Sequence, residues 1–114
     1  MQNLGTLIVV NIIQDVASLN ASVVLPSAGF SEKRGSMINA KGRLQRLNHA
    51  THPPGEARED WEILNDLIHA ISGGDGISSI EDVFKQMAAA YPVFAGLSLS
   101  KIGDLGVQLE LPAL

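Results

Sequence analysis

The sequence predicts an α/β chain in which short parallel strands lead into a β-hairpin and two helices. Leu7-Ile8-Val9-Val10 and Val23-Val24-Leu25 are short, continuous, largely β-branched runs, as expected of strands buried on both faces of a sheet. Asn39-Ala40-Lys41-Gly42 sits between the aliphatic pairs Met37-Ile38 and Leu44/Leu47, which is hairpin patterning. From Ala57 to Ile71, Trp61, Leu64, Leu67, Ile68 and Ile71 recur at helical spacing.

At 114 residues the chain is one domain at most. With 46% hydrophobic and only 4% aromatic residues, its packing must be aliphatic. A net charge of −4 argues against general nucleic-acid binding, which draws its affinity from phosphate neutralisation. The absence of cysteine excludes disulfides, thiolate metal sites and iron–sulfur ligation by this chain. The apolar run from Leu7 to Ile13 is broken by Asn11 and has no basic leader, so direct membrane insertion is not expected and the chain reads as soluble and cytosolic.

Between the first two strands, Asp15 to Asn20 has room for a turn or two of helix, a short crossover that suits parallel pairing, and Pro26 closes the second strand. Asn39 and Gly42 hold the first and fourth positions of a type I turn. Pro53 and Pro54 stiffen the loop that follows. Glu59 and Asp60 fall early in the first helix, at the positive end of its dipole, and Gly73-Gly74 stops it. Ser78 and Ser79 stand three residues before Glu81 and Asp82, so a capping box starts the second helix, with Ile80, Val83, Phe84 and Met87 as its stripe and Pro92 beyond its end. Residues 93–114 read as an irregular docked tail.

His49 and His52 have metal-like spacing, but no third ligand stands near them in sequence. No serine lies in a nucleophile elbow, and "SGGDG" lacks the strand before it and the Gly-Lys-Ser/Thr after it that a phosphate loop needs. Glu56, Glu59, Asp60, Glu62 and Asp66 read as the solvated face of the first helix. Positions 23 to 46 concentrate Lys33, Arg34, Lys41, Arg43 and Arg46 against the single acid Glu32. Only Phe30 is near enough to stack on a base, so these cations are expected to pair with acids on the first helix or on a partner.

Taken together, "ASLNASVVLPSAGFSEKRGSMINAKGRLQR" and "PPGEAREDWEIL" resemble the late part of the large iron–sulfur subunit of respiratory NADH-quinone oxidoreductase, complex I, a member of the molybdopterin oxidoreductase superfamily. The matching positions include Pro26, Glu32, Lys33, Gly35, Asn39, Gly42, Arg43, Gln45 and, at the helix start, Arg58 to Trp61. The tail "YPVFAGLSLSKIGDLGVQL" is also similar to the family's, while Lys41 stands where Glu is common. The resemblance implies a fragment from the C-terminal part of a far longer chain: Rossmann-like strands over 1–26, a hairpin over 27–50, two helices over 51–92 and the tail. It further implies a non-catalytic structural segment, no cofactor held here, and iron–sulfur clusters elsewhere in the parent. Partners would be the rest of that subunit and other complex I subunits, in a peripheral arm on the inner face of the membrane. Glu32, Lys33, Asn39, Gly42, Arg43, Gln45 and Trp61 become structural or interface residues on this reading. A catalytic molybdopterin-dependent parent such as a formate dehydrogenase is the alternative. With apolar sheet edges and a helix stripe uncovered, the isolated chain is expected to self-associate.

Overall fold

The computed structural model describes residues 4–110. Strands β1 (Ile8–Asn11) and β2 (Val23–Pro26) pair in parallel, Ile8 opposite Val23 and Val10 opposite Leu25, through the one-turn helix α1 (Val16–Leu19). So short a helix survives because Asp15 caps it, accepting hydrogen bonds from the Ser18 N–H and hydroxyl. Pro26 is the last residue of β2 and closes it, as expected.

A hairpin follows, β3 (Gly35–Ile38) antiparallel to β4 (Arg43–Leu47). The Asn39 carbonyl accepts from Gly42 N–H at 2.9 Å, and its side-chain oxygen accepts from the N–H groups of Lys41 and Arg43. Gly42 at φ +75° supplies the left-handed conformation that the turn requires.

Helix α2 (Asp60–Ser72) starts three residues later than its periodicity suggests. The preceding backbone is already committed: Arg58 N–H donates to Pro26 O at 3.2 Å, and Arg58 O accepts from Ala28 N–H at 2.7 Å. Residues before the helix thereby extend β2 by a parallel bridge, Ser27 to Arg58. Gly73 ends α2 in the left-handed region, as its position predicts. The buried residue of α2 is Ile63, which the expected stripe omitted. Ile63 and Leu67, one turn apart, line a groove against Leu25 and Pro26, while Leu64, Ile68 and Ile71 are exposed. Helix α3 (Ile80–Ala90) begins as expected, with Ser79 accepting from Asp82 N–H at 3.1 Å.

The tail is not irregular. A 3₁₀ turn (Pro92–Phe94), helix α4 (Leu99–Ile102) and strand β5 (Val107–Gln108) complete a second unit, with β5 pairing antiparallel to β4 so that the hairpin becomes a three-stranded sheet. The main core lies there: Leu44, Phe84, Leu99, Ile102 and Leu109 are buried together, and Phe84 meets Phe94 edge to face at 6.3 Å. Residues 111–114 of the predicted tail lie outside the described residues.

The parallel strands also depart from expectation. They are not buried on both faces, since Ile8, Val23 and Val24 are each nearly half exposed, and Ile12, Ile13, Val16 and Leu19 stand out beside them. Val23 and Val24 point to opposite sides of the strand, so among the described residues this part of the pair is open on both faces, while α2 lies near Leu25 and Pro26.

β5 approaches β4 closely through Gly106. A Cβ there would sit 2.5 Å from the Leu44 carbonyl oxygen, and the residue has φ +72°. Gly106→Ala is expected to destabilise the chain by about 2–3 kcal/mol, from the strained backbone and the displaced strand together. Gly55→Ala, at φ +57° with open space around it, should cost only about 1 kcal/mol. Urea denaturation of the two variants measures the difference.

Candidate functional site

The described polar groups converge most densely where the hairpin meets the start of α2. The late helix start leaves Glu59 extended at the N-cap, with φ −64° and ψ 139°. Its side chain does not cap α2; it reaches back across the hairpin entrance. One carboxylate oxygen accepts from Arg34 N–H at 3.1 Å and from the Trp61 indole N–H at 3.0 Å, while the other faces His49 Nε2 at 2.7 Å. Only 13% of the Glu59 side chain is exposed. A carboxylate so shielded needs such donors, because burying it unpaired is costly.

Asp60, the first residue of α2, takes the other side of the joint. Its two oxygens accept from the Ser27 hydroxyl and from Lys33 Nζ. Ser27 is itself buried and spends its one hydroxyl hydrogen on Asp60, so the end of β2, the ribbon after it and the helix start share one network. Burial pushes the Asp60 carboxyl up, but the hydrogen bonds from Lys33 and Ser27 and the Lys33 charge outweigh it and hold the group below its ordinary value. Ser27 has a carboxylate beside it and no histidine, the arrangement of a strut rather than of an activated nucleophile.

The residues singled out in the sequence divide into two sets. Lys33 and Trp61 belong to this joint, and Glu32 closes the loop just before it by accepting from Gly29 N–H at 2.7 Å. Asn39, Gly42, Arg43 and Gln45 instead serve the hairpin and its seam with β5. Asn39 Nδ2 reaches Gln45 Oε1 at 3.4 Å, Arg43 donates to the Leu105 carbonyl at 3.1 Å, and the Gly42 carbonyl accepts from Leu109 N–H.

The expected pairing of the basic ribbon with the first helix holds for Lys33, while Arg34 pairs with Glu81 on α3 and Arg46 with Asp104 beyond α4. Lys41 makes no ion pair among the described residues. Reading Glu59 as solvated face was wrong, because it turns inward onto the ribbon; Asp60 stays 41% exposed but bonds to Ser27 and Lys33, and Glu62 and Asp66 face solvent and pair with Arg58. The signal available was the surplus of cations in positions 23–46, which needs acids from another segment. His49 belongs to Glu59, and no group of three or more ligating side chains is assembled among the described residues.

Beside the joint, β3, β4 and α3 leave a cavity of about 330 Å³ walled by Met37, Leu47, Trp61, Val83, Phe84 and Met87. Its charged rim residues, Lys33, Arg34, Glu59 and Asp60, already bond to one another or to neighbours. The arrangement can therefore lock segments together and enclose apolar material, and it holds ready no free acid–base pair.

Glu59→Gln keeps the shape of the side chain but places an amide against Trp61, Arg34 and His49. A loss of about 1–3 kcal/mol in urea denaturation is expected, with a shifted Trp61 emission. Glu62→Gln, on the exposed Arg58 pair, should change stability by about 0.5 kcal/mol at most. The depressed Asp60 value sets a pH dependence. Its stabilisation is complete above the unfolded aspartate value of about 3.9 and is lost as pH falls through the lower folded value. Thermal melts should show Asp60→Asn less stable than wild type at pH 7, with the two curves converging in acid.

Comparison with known proteins follows the same stretch of chain. The family model for molybdopterin oxidoreductase matches residues 1–70, more than half of the chain, from β1 through most of α2. The F420-dependent formate dehydrogenase 1 subunit alpha of Methanococcus maripaludis is 34% identical over 110 residues, covering 95% of this chain and 16% of that protein. The NADPH-Fe(3+) oxidoreductase subunit alpha of Geobacter sulfurreducens is 37% identical over 97 residues, 85% of this chain and 12% of that protein. The G subunit of the NADH-quinone oxidoreductase of Rickettsia typhi is 34% identical over 83 residues, 73% of this chain and 12% of that protein. The chain thus spans about one sixth of the length of these relatives, or less. Parallel strands, an Asn-to-Gly hairpin and the Arg58-to-Trp61 helix entry all fall inside the matched residues, and on that match the chain belongs to the molybdopterin oxidoreductase family.

Proposed function

We propose that this chain acts as a non-catalytic structural segment, toward the C-terminal end of the large electron-transfer subunit of a respiratory NADH-quinone oxidoreductase. The observation that carries this reading is the uncovered apolar layer of β1, α1 and β2. Ile13, Val16 and Leu19 are 68–69% exposed, and a face of that kind calls for further protein to lie on it. In this reading the remainder of the subunit covers that face, other subunits of the complex pack around it, and the Glu59–Asp60 joint sets the direction in which the chain leaves the strand layer. The assembly would place it in a peripheral arm on the inner face of the membrane, and no described helix is long and apolar enough to cross a membrane.

Redox cofactors would belong to other parts of such a subunit. The chain has no cysteine to ligate an iron–sulfur cluster. A pterin would not fit the cavity beside Trp61, whose walls are apolar and whose rim donors are already paired, so these residues support no step through either group.

A second reading, that the parent is a catalytic molybdopterin-dependent oxidoreductase such as a formate dehydrogenase, is favoured by one observation. The similarity to a formate dehydrogenase alpha subunit runs through 95% of the chain. Assay of the full-length parent separates the two. NADH-linked electron transfer without formate oxidation supports the first reading, and formate oxidation supports the second.

The chain on its own is expected to self-associate through the same face. Sedimentation velocity should show concentration-dependent dimers or larger species at tens of micromolar, and Ile13→Lys with Val24→Lys should return it to monomer without loss of helix content. A wild-type monomer across that range would count against the uncovered layer as a docking face.

A further inference from the structure

A second, smaller cavity lies on the other side of the hairpin entrance. It measures about 110 Å³ and is bounded by Arg34, Arg46, Asn48, Glu81 and Ser100. The antiparallel ladder sets Arg46 opposite Ser36, two residues from Arg34, so the backbones that carry the two arginines are placed by one hairpin. The Arg34 backbone is pinned in addition by Glu59. Glu81 is the single carboxylate lining the cavity, and it is taken by Arg34. The Arg46 charge therefore has no carboxylate of its own among the residues lining the cavity.

The partner that Arg46 does have is weak. Asp104 is 92% exposed and reaches one terminal nitrogen at 3.2 Å, a pair that water screens strongly. A guanidinium carries five N–H donors, and side chains among the described residues occupy one on each arginine. Arg46 Nε is the more telling group: it is shielded from solvent and meets no acceptor among the described residues. Buried donors are nearly always satisfied, and the guanidinium fork matches an oxyanion better than any other acceptor. The Arg46 side chain is 31% exposed and lines the cavity, so an anion bound there would have to draw Nε out to meet it.

We propose that the cavity between Arg34 and Arg46 binds a small oxyanion of the carboxylate or phosphate class. One cation whose only partner is the exposed Asp104 sets the charge preference to a monovalent or weakly divalent ion, and the volume of about 110 Å³ admits a small anion rather than a nucleotide.

NMR of the arginine Nε–Hε groups tests this directly in the ¹⁵N-labelled full chain. Sodium acetate and inorganic phosphate are titrated separately, with chloride adjusted to keep ionic strength constant. Saturable shifts of the Arg46 and Arg34 signals are expected, with a Kd on the order of 1 mM. Arg58, held by Glu62 and Asp66, should stay in place. Saturation by acetate alone assigns the carboxylate class, and by phosphate alone the phosphate class. Arg46→Lys should weaken binding at least tenfold with the backbone spectrum otherwise unchanged. Linear, equal drift of all arginine signals, an unmoved Arg46 signal, or binding that survives Arg46→Lys would each overturn the proposal.

Discussion

Two adjacent carboxylates, Glu59 and Asp60, hold the architecture together, because each is bonded by segments far away in sequence and Glu59 is largely removed from water by them. Glu59 collects donors from Arg34, His49 and Trp61; Asp60 collects them from Ser27 and Lys33. The strand layer, the hairpin entrance and α2 therefore meet at one charged joint. Such a joint stabilises modestly but specifies strongly, since any other docking of the hairpin would strand a shielded carboxylate without donors.

The same joint explains why α2 starts where it does. Helical periodicity reaches back to Ala57, but the Arg58 backbone is more valuable to β2 than to another turn of helix. A backbone N–H donates once, and the strand end takes the one on Arg58. Glu59 is then free to turn away from the helix axis, and α2 begins without a side-chain cap.

Packing is uneven along the chain. The second unit closes on itself around Leu44 and Phe84, with α4 and β5 supplying Leu99, Ile102 and Leu109. The first unit leaves its β-branched residues half exposed and α2 shows Leu64, Ile68 and Ile71 to solvent. Membership of a family whose compared relatives are at least about six times longer is consistent with that asymmetry. The hairpin end, by contrast, carries its own cover, and the Arg34–Arg46 cavity is formed entirely within it.

Local chemistry made much of this legible beforehand. The two β-branched runs, the Asn39-to-Gly42 turn, the Gly73 stop and the Ser79 cap each depend on neighbours a few residues away, and each stands where residue type places it. The tail was illegible because β5 is two residues long and α4 one turn, too short for periodicity to register; only pairing with β4 and burial against Phe84 make them elements. Glu59 and Asp60 looked like solvated helix for a related reason. Sequence shows an acid at a helix start, whereas the donors that engage it come from Ser27, Lys33, Arg34 and His49. The sequence by itself thus determined the strands, turns and caps, whose hydrogen bonds are local, while tertiary structure alone decided which charges are buried and which apolar faces are covered, because both depend on segments brought together only when the chain folds.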